Sequence, residues 1–304
     1  MSIALNCLNR SGFNLDAAVF LAQASQVAYN NADSTKNWST NNGFTKTAFF
    51  EKGETQGFWS IVDDEIGVLV FRGTSSPWDW VRDLRVFPVL HPWGLVHIGF
   101  LKGVESVDFA LQEFANHAKR MKKIWITGHS LGGALALIAA AKLKMQGIVP
   151  TVYTYGQPRV GLSNFADRFN VELPGQLYRF INQSDIVTRI PTLLYRHTGI
   201  PKRIVRPGVL ESVENLELIT SPPIIALNRI IGTPTTEVSI ALEEAISPSA
   251  FPILMDIDAP PLTESEFIEL QGALDNTKEG VIPFFGDHFI SKYIELLSDI
   301  KNKT

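Results

Sequence analysis

Gly128-His129-Ser130-Leu131-Gly132-Gly133 is the part of this chain most able to do chemistry: a G-x-S-x-G pattern between the apolar run Lys123 to Thr127 and the apolar-rich segment Ala134 to Leu143. A chain that turns sharply from strand into helix brings backbone too close for side chains at Gly128 and Gly132. Ser130 is then left at the tip with its hydroxyl facing a pocket, placed to attack a carbonyl carbon. The Leu131 amide belongs to the first helical turn, whose N–H groups have no partner within the helix, and can point at the oxyanion that the attack creates. Gly133 and Ala134 keep the helix start slim against a sheet.

Serine at its free pKa is a poor nucleophile, so Ser130 needs a base, and the base needs a partner that fixes its tautomer. Of the six histidines, His288 is the expected base, because it follows all the strand–helix units in the order serine, acid, histidine. His129 shares the turn with Ser130 and is expected to pack or hydrogen-bond beneath it. His91 and His117 fit surface or packing roles, and His97 and His197 fit structural support. Asp185, just past the predicted strand Leu177 to Ile181, is the expected orienting acid. Asp167 inside a helix and Asp287 beside His288 are poorer candidates. A second oxyanion donor should follow an earlier strand, and Val68-Leu69-Val70-Phe71-Arg72-Gly73-Thr74 ends there, with Thr74 offering its amide and hydroxyl. No H-E-x-x-H pattern or compact ligand cluster occurs, so neither metal nor organic cofactor is expected.

Between Ser75 and Gly94 the aromatic and apolar density is too high for an ordinary exposed loop. Trp78, Trp80, Leu84, Phe87 and Trp93 either pack into the core or form a lid or acyl pocket over the serine.

These residues require a scaffold that gathers loops at one edge. Helix candidates at Leu15 to Tyr29, Val104 to Ala118, Leu131 to Lys144 and Leu162 to Phe169 accompany strands at Lys123 to Thr127, Thr151 to Tyr155 and Leu177 to Ile181. Gly57 to Asp63 and Gly67 to Arg72 read as a hairpin at the edge of the sheet, and Asn30 to Gly43 as a polar, asparagine-rich stretch. That rhythm is an α/β fold, a mostly parallel central sheet flanked by helices, with Thr74, Ser130 and Asp185 converging at the C-terminal strand ends. Ile282 to Leu297 returns the chain to the core.

The 304 residues, 45% hydrophobic, can bury one large core, and a single domain 1–304 with an insertion or cap at about 209–280 is expected. Net charge is −4, unevenly spread: Pro207 to Gly280 holds 13 acidic residues against Arg229 and Lys278. The remainder is basic, and Arg189, Arg196, Lys202, Arg203 and Arg206 could dock the acidic segment or attract anionic lipid. Neither run resembles a nucleic-acid groove. There is one cysteine, Cys7, and neither a leader nor an 18-residue apolar run is evident, so a soluble, cytoplasmic or leaderlessly secreted protein is expected. The sequence leaves the oligomeric state open.

The succession Val70-Phe71-Arg72-Gly73-Thr74, Asp79-Trp80-Val81-Arg82-Asp83-Leu84, Val96-His97-Ile98-Gly99-Phe100, Thr127 to Ala134 and Tyr155-Gly156-Gln157-Pro158-Arg159-Val160-Gly161 resembles the class 3, fungal-type lipases. The resemblance covers roughly Ala48 to His197 and resumes near Gly286-Asp287-His288. It implies the α/β-hydrolase fold, Thr74 as oxyanion donor and Ser130 as nucleophile, with Asp185 and His288 where acid and base are expected. It further implies ester hydrolysis of acylglycerols without a cofactor, on a lipid or small-ester substrate with transient lipid-interface contact. Phospholipid or galactolipid acyl hydrolysis, small-ester hydrolysis, and lipid binding or regulation on a lipase scaffold are the alternatives. The chain departs from the compact family pattern in its acidic insertion between Asp185 and His288.

Overall fold

Strands rich in β-branched and aromatic residues alternate with alanine- and leucine-rich helices, each segment following its local preference. A computed structural model describes residues 3–74, 88–182, 185–191, 194–206, 209–212, 217–218, 254–255 and 288–303. The strands are β1 (Lys46–Lys52), β2 (Thr55–Val62), β3 (Ile66–Phe71), β4 (Pro88–His91), β5 (Gly94–His97), β6 (Lys123–His129), β7 (Thr151–Tyr155), β8 (Gly161–Leu162), β9 (Leu177–Asn182), β10 (Tyr195–Arg196), β11 (Ile200–Arg206) and β12 (Val209–Ser212). The helices are α1 (Leu15–Val27), α2 (Ala32–Asn41), α3 (Ile98–Ser106), α4 (Asp108–Ala118), α5 (Leu131–Met145), α6 (Ser163–Glu172) and α7 (Ile290–Lys303).

The main sheet has eight strands in the order β1-β2-β3-β6-β7-β9-β11-β12. Its five central members, β3, β6, β7, β9 and β11, run parallel, and the flanking strands are antiparallel. A smaller sheet, β10-β8-β5-β4, is antiparallel. This is the α/β-hydrolase architecture. Among the described residues no helix is long and apolar enough to cross a membrane.

Side-chain alternation splits the core between the two faces of the sheet. Leu69, Phe71 and Ile126 pack with α3 to α6 on one face, while Val68, Val70, Trp125, Tyr153 and Tyr155 pack with α1 and α7 on the other. Covering both faces explains why β3 is buried along its whole length, as interior parallel strands are. Burying one such large apolar side chain contributes about 1.5–3 kcal/mol.

Several elements differ from the sequence reading. The β2–β3 hairpin is not at the sheet edge: β1 pairs outside β2, and β3 pairs with β6. The missed strand β1 is half-buried and flanked by lysines, a weak apolar signal. Part of the polar stretch forms α2, started by Asn31, whose side chain accepts from Ser34 N. The expected helix Val104 to Ala118 is two helices meeting at Val107, and the first begins early because the His97 side chain accepts from Gly99 N. A short antiparallel pair, β13 (Glu217–Leu218) with β14 (Leu254–Met255), falls within the expected insertion. The rest of 213–280 lies outside the described residues.

Candidate active site

The parallel strands end together, and register fixes which residues leave the sheet side by side. Phe71 pairs with Gly128, His129 with Tyr155, and Tyr155 with Phe180. The segments that follow therefore emerge at one edge: Gly73-Thr74 after β3, Ser130 after β6, Gly156 after β7 and Asp185 after β9.

Ser130 occupies the turn between β6 and α5 with φ 57° and ψ −127°, a left-handed conformation that costs a non-glycine residue on the order of 1–3 kcal/mol. The turn is tight enough that a Cβ on Gly128 would overlap the Gly132 backbone, and one on Gly132 would overlap Phe71 O. Ser130 N donates to Tyr155 O at 2.9 Å, and Gly133 N donates to Ser130 O at 2.9 Å, holding the turn from both sides. The side chain is 1% exposed, and its Oγ has no hydrogen-bond partner among the described residues. Leu131 N–H opens α5, where helix geometry provides no intrahelical acceptor. Gly73 approaches from β3 so closely that a Cβ there would lie 3.2 Å from Ser130 Cβ, and Thr74 follows it, partly exposed.

His288 and Asp185, 103 residues apart in sequence, are in direct contact. His288 Nδ1 lies 2.9 Å from both Asp185 Oδ1 and Oδ2. Val187 N donates to Oδ1 at 2.9 Å, the Tyr293 hydroxyl donates to Oδ2 at 2.6 Å, and Asn182 N donates in turn to the Tyr293 oxygen at 3.0 Å. The carboxylate is thus buried with three donors around it, which is how a buried charge is tolerated. With Nδ1 facing the carboxylate, Nε2 is the imidazole atom left to handle a substrate proton.

His129 is beneath the turn as the sequence suggested. Its Nε2 donates to His288 O at 2.6 Å, and its Nδ1 lies 2.9 Å from the Tyr29 hydroxyl. Burial, with His288 nearby, holds its pKa well below the ordinary histidine value. The other histidines are structural: His197 Nε2 donates to Thr188 O at 2.7 Å behind Asp185, His97 caps α3, and His117 lies beside Lys46 and Trp59.

Trp93 is not part of a lid. It is buried on Phe165 and Phe169, beside His91, because β4 and β5 fold that end of the aromatic segment onto α6. Trp78, Trp80, Leu84, Phe87 and Asp287 lie outside the described residues.

Sequence reasoning missed Tyr293, Tyr29 and Gly156 as site residues. Tyr293 reads as one more apolar position of the last helix, and Tyr29 as the end of the first. Gly156 has φ 58°, and a Cβ there would fall 2.6 Å from Asp185 Oδ2 and 2.9 Å from His288 Nδ1, so only glycine leaves room for the pair. The Tyr155-Gly156-Gln157 succession was the signal for it.

The sequence profile of the family described as Lipase (class 3) matches residues 68–195, which contain the Gly73-Thr74 segment, the serine turn and Asp185. Over that span the chain is similar to the class 3 lipases. Among curated relatives, it is 43% identical over 109 residues to secreted mono- and diacylglycerol lipase 1 of Fusarium solani, covering 34% of this chain and 32% of that protein. It is 38% identical over 136 residues to the lipase of Rhizomucor miehei, covering 40% and 37% respectively. These matches span about a third of each relative's length. The crystal structure of a mutant MDLA from Penicillium cyclopium shares the fold, with a TM-score of 0.57, 23% identity, and coverage of 66% of this chain and 85% of that one.

Proposed function

We infer that this chain is a lipase of the class 3 type, which hydrolyses carboxylic esters, acylglycerols foremost, through an acyl-enzyme on Ser130. The observation that carries the reading is the buried Asp185–His288 pair meeting at the strand ends beside a strained, buried serine. Asp185 holds the His288 imidazole with Nδ1 protonated, so that Nε2 accepts the Ser130 proton as Oγ bonds to the ester carbonyl carbon. The carbonyl π electrons move onto oxygen, where the Leu131 and Thr74 amides stabilise the negative charge; such a donor is typically worth about 10²- to 10³-fold in turnover. As the tetrahedral centre collapses, the C–O bond to the alcohol breaks and the imidazolium gives its proton to the departing oxygen. Water then repeats the attack with His288 as base, releasing the carboxylic acid and restoring Ser130. Every step uses the chain's own residues.

The fungal relatives whose names specify mono- and diacylglycerol lipase or lipase support acylglycerols as the first substrates to try. The test is fatty-acid release from tributyrin, triolein emulsion and phosphatidylcholine vesicles, wild type beside Ser130→Ala with matched circular dichroism. Release that falls about 10⁴-fold or more in Ser130→Ala, with glycerides ahead of phospholipid, is the expected result. Equal background release from both folded proteins would reject the hydrolase reading. Phospholipid ahead of glycerides would replace the substrate assignment with phospholipid acyl hydrolysis.

A further inference from the structure

Tyr29 follows α1, far in sequence from the serine turn, yet its hydroxyl sits where the three loops of the site meet. The oxygen lies 2.9 Å from His129 Nδ1. A Cβ on Gly73 would run into it, so the Gly73 backbone passes directly against it. On the far side of the same imidazole, His129 Nε2 is 2.6 Å from the carbonyl oxygen of His288.

Proton counting fixes the direction of this chain. A carbonyl can only accept, so His129 carries its proton on Nε2. Burial keeps the ring neutral, leaving Nδ1 a lone pair that must accept from Tyr29. The single phenolic proton is thereby committed to His129, and the Tyr29 oxygen can only accept on the Gly73 side. Tyr29 therefore has no proton to offer an oxyanion formed beside Thr74.

We propose that Tyr29 and His129 form a positioning chain that holds the Gly73-Thr74 loop, the Ser130 turn and the main chain of His288 in one register. Base and oxyanion donors are then set relative to the nucleophile before an ester arrives. The proposal rests on the hydrolase reading of Ser130, and neither residue touches the reacting atoms. Two further contacts support it. The His129 and His288 rings lie 4.6 Å apart and 34° from parallel, so the neutral ring also backs the base. The chain's outer end is anchored as well: Gln56 Nε2 donates to Ala28 O at 2.9 Å and Asn30 O at 3.0 Å on either side of Tyr29, and the Arg72 guanidinium donates to Gln56 Oε1. Among the described residues the Tyr293 ring also faces His129, with centroids 6.2 Å apart.

The experiment has two arms. Nitrogen NMR of ¹⁵N-histidine-labelled protein reads the chain without turnover. The wild type is expected to show His129 as the neutral Nε2–H tautomer, and Tyr29→Phe to move its Nδ1 resonance to that of an unbonded nitrogen and to shift the His288 ring signals. A His129 protonated on Nδ1, or His288 signals unchanged in Tyr29→Phe, overturns the proposal. The second arm measures kcat and KM on monomeric p-nitrophenyl butyrate. Tyr29→Phe and His129→Gln should each lower kcat by about 10- to 50-fold with KM within about twofold, and the double variant should lose no more than the worse single one, since both break one chain. Losses that multiply, or a raised KM with unchanged kcat, overturn it. Should wild type and Ser130→Ala be equally inactive, the hydrolase reading fails, while the NMR arm still decides whether the chain of bonds exists.

Discussion

Replacing Tyr293 by phenylalanine removes one oxygen from beside Asp185 and leaves the ring packing of α7 in place. That oxygen donates to Asp185 Oδ2 at 2.6 Å and accepts from Asn182 N at 3.0 Å, both in a region closed to solvent. A hydrogen bond to a charged group contributes about 1.5–3 kcal/mol, and an orphaned buried N–H costs about 1–3 kcal/mol. With partial relaxation the variant should be roughly 2–5 kcal/mol less stable, a large share of the ~5–15 kcal/mol of an ordinary domain. It should still fold, because Tyr293 keeps its contacts with His129 and Tyr155. Asp185 would retain Val187 N and His288 Nδ1 as donors but lose the bond that orients Oδ2. Losing the function of an orienting carboxylate altogether costs about 10⁴-fold in kcat. Losing one of its three supports should cost about 10- to 100-fold, equivalent to ~1.4–2.7 kcal/mol in the barrier. The assay is kcat and KM on a monomeric ester alongside calorimetric unfolding. A lower midpoint with kcat within twofold of wild type would refute the reasoning, since Tyr293 would then stabilise the fold without setting the acid.

Gly156→Ala should abolish measurable turnover in a folded protein: the left-handed φ of 58° strains alanine, and its Cβ would meet Asp185 Oδ2 at 2.6 Å. A displacement of about 1 Å in such a pair can cost 10²-fold or more, and a variant with near wild-type kcat would show that the pair has room to spare. His91 supplies a prediction about acid. Burial, with Lys142 adding to it, lowers its pKa from 6.5 to about 4, so its contribution to stability is present above about pH 6.5 and is lost as pH falls toward 4. The loss amounts to ~3 kcal/mol at full protonation. His91→Phe should flatten the fall of the unfolding midpoint between those pH values, and an unchanged slope in denaturant melts would argue against it.

The strand–turn–helix around Ser130 was legible in the sequence because its requirements are local. Glycines at 128 and 132 and an alanine- and leucine-rich helix behind them satisfy steric conditions set within a few residues. The parallel order of β6, β7 and β9 was legible for a similar reason: each strand is a short, continuous apolar run separated by a helical period. The edge of the sheet was not legible, because β1 earns its place by pairing with β2 rather than by its own pattern. Trp93 shows the same limit, since an aromatic run reads alike whether it covers a pocket or packs on Phe165 and Phe169. Asp185 and His288 could be nominated from chain order, but their 2.9 Å contact depends on how 103 residues return the chain to the sheet end. The hydroxyls of Tyr29 and Tyr293 belong wholly to the tertiary structure. In the sequence each is an aromatic at the end or on the buried side of a helix, and only the packing of α1 and α7 against one face of the sheet turns those two oxygens toward His129 and Asp185.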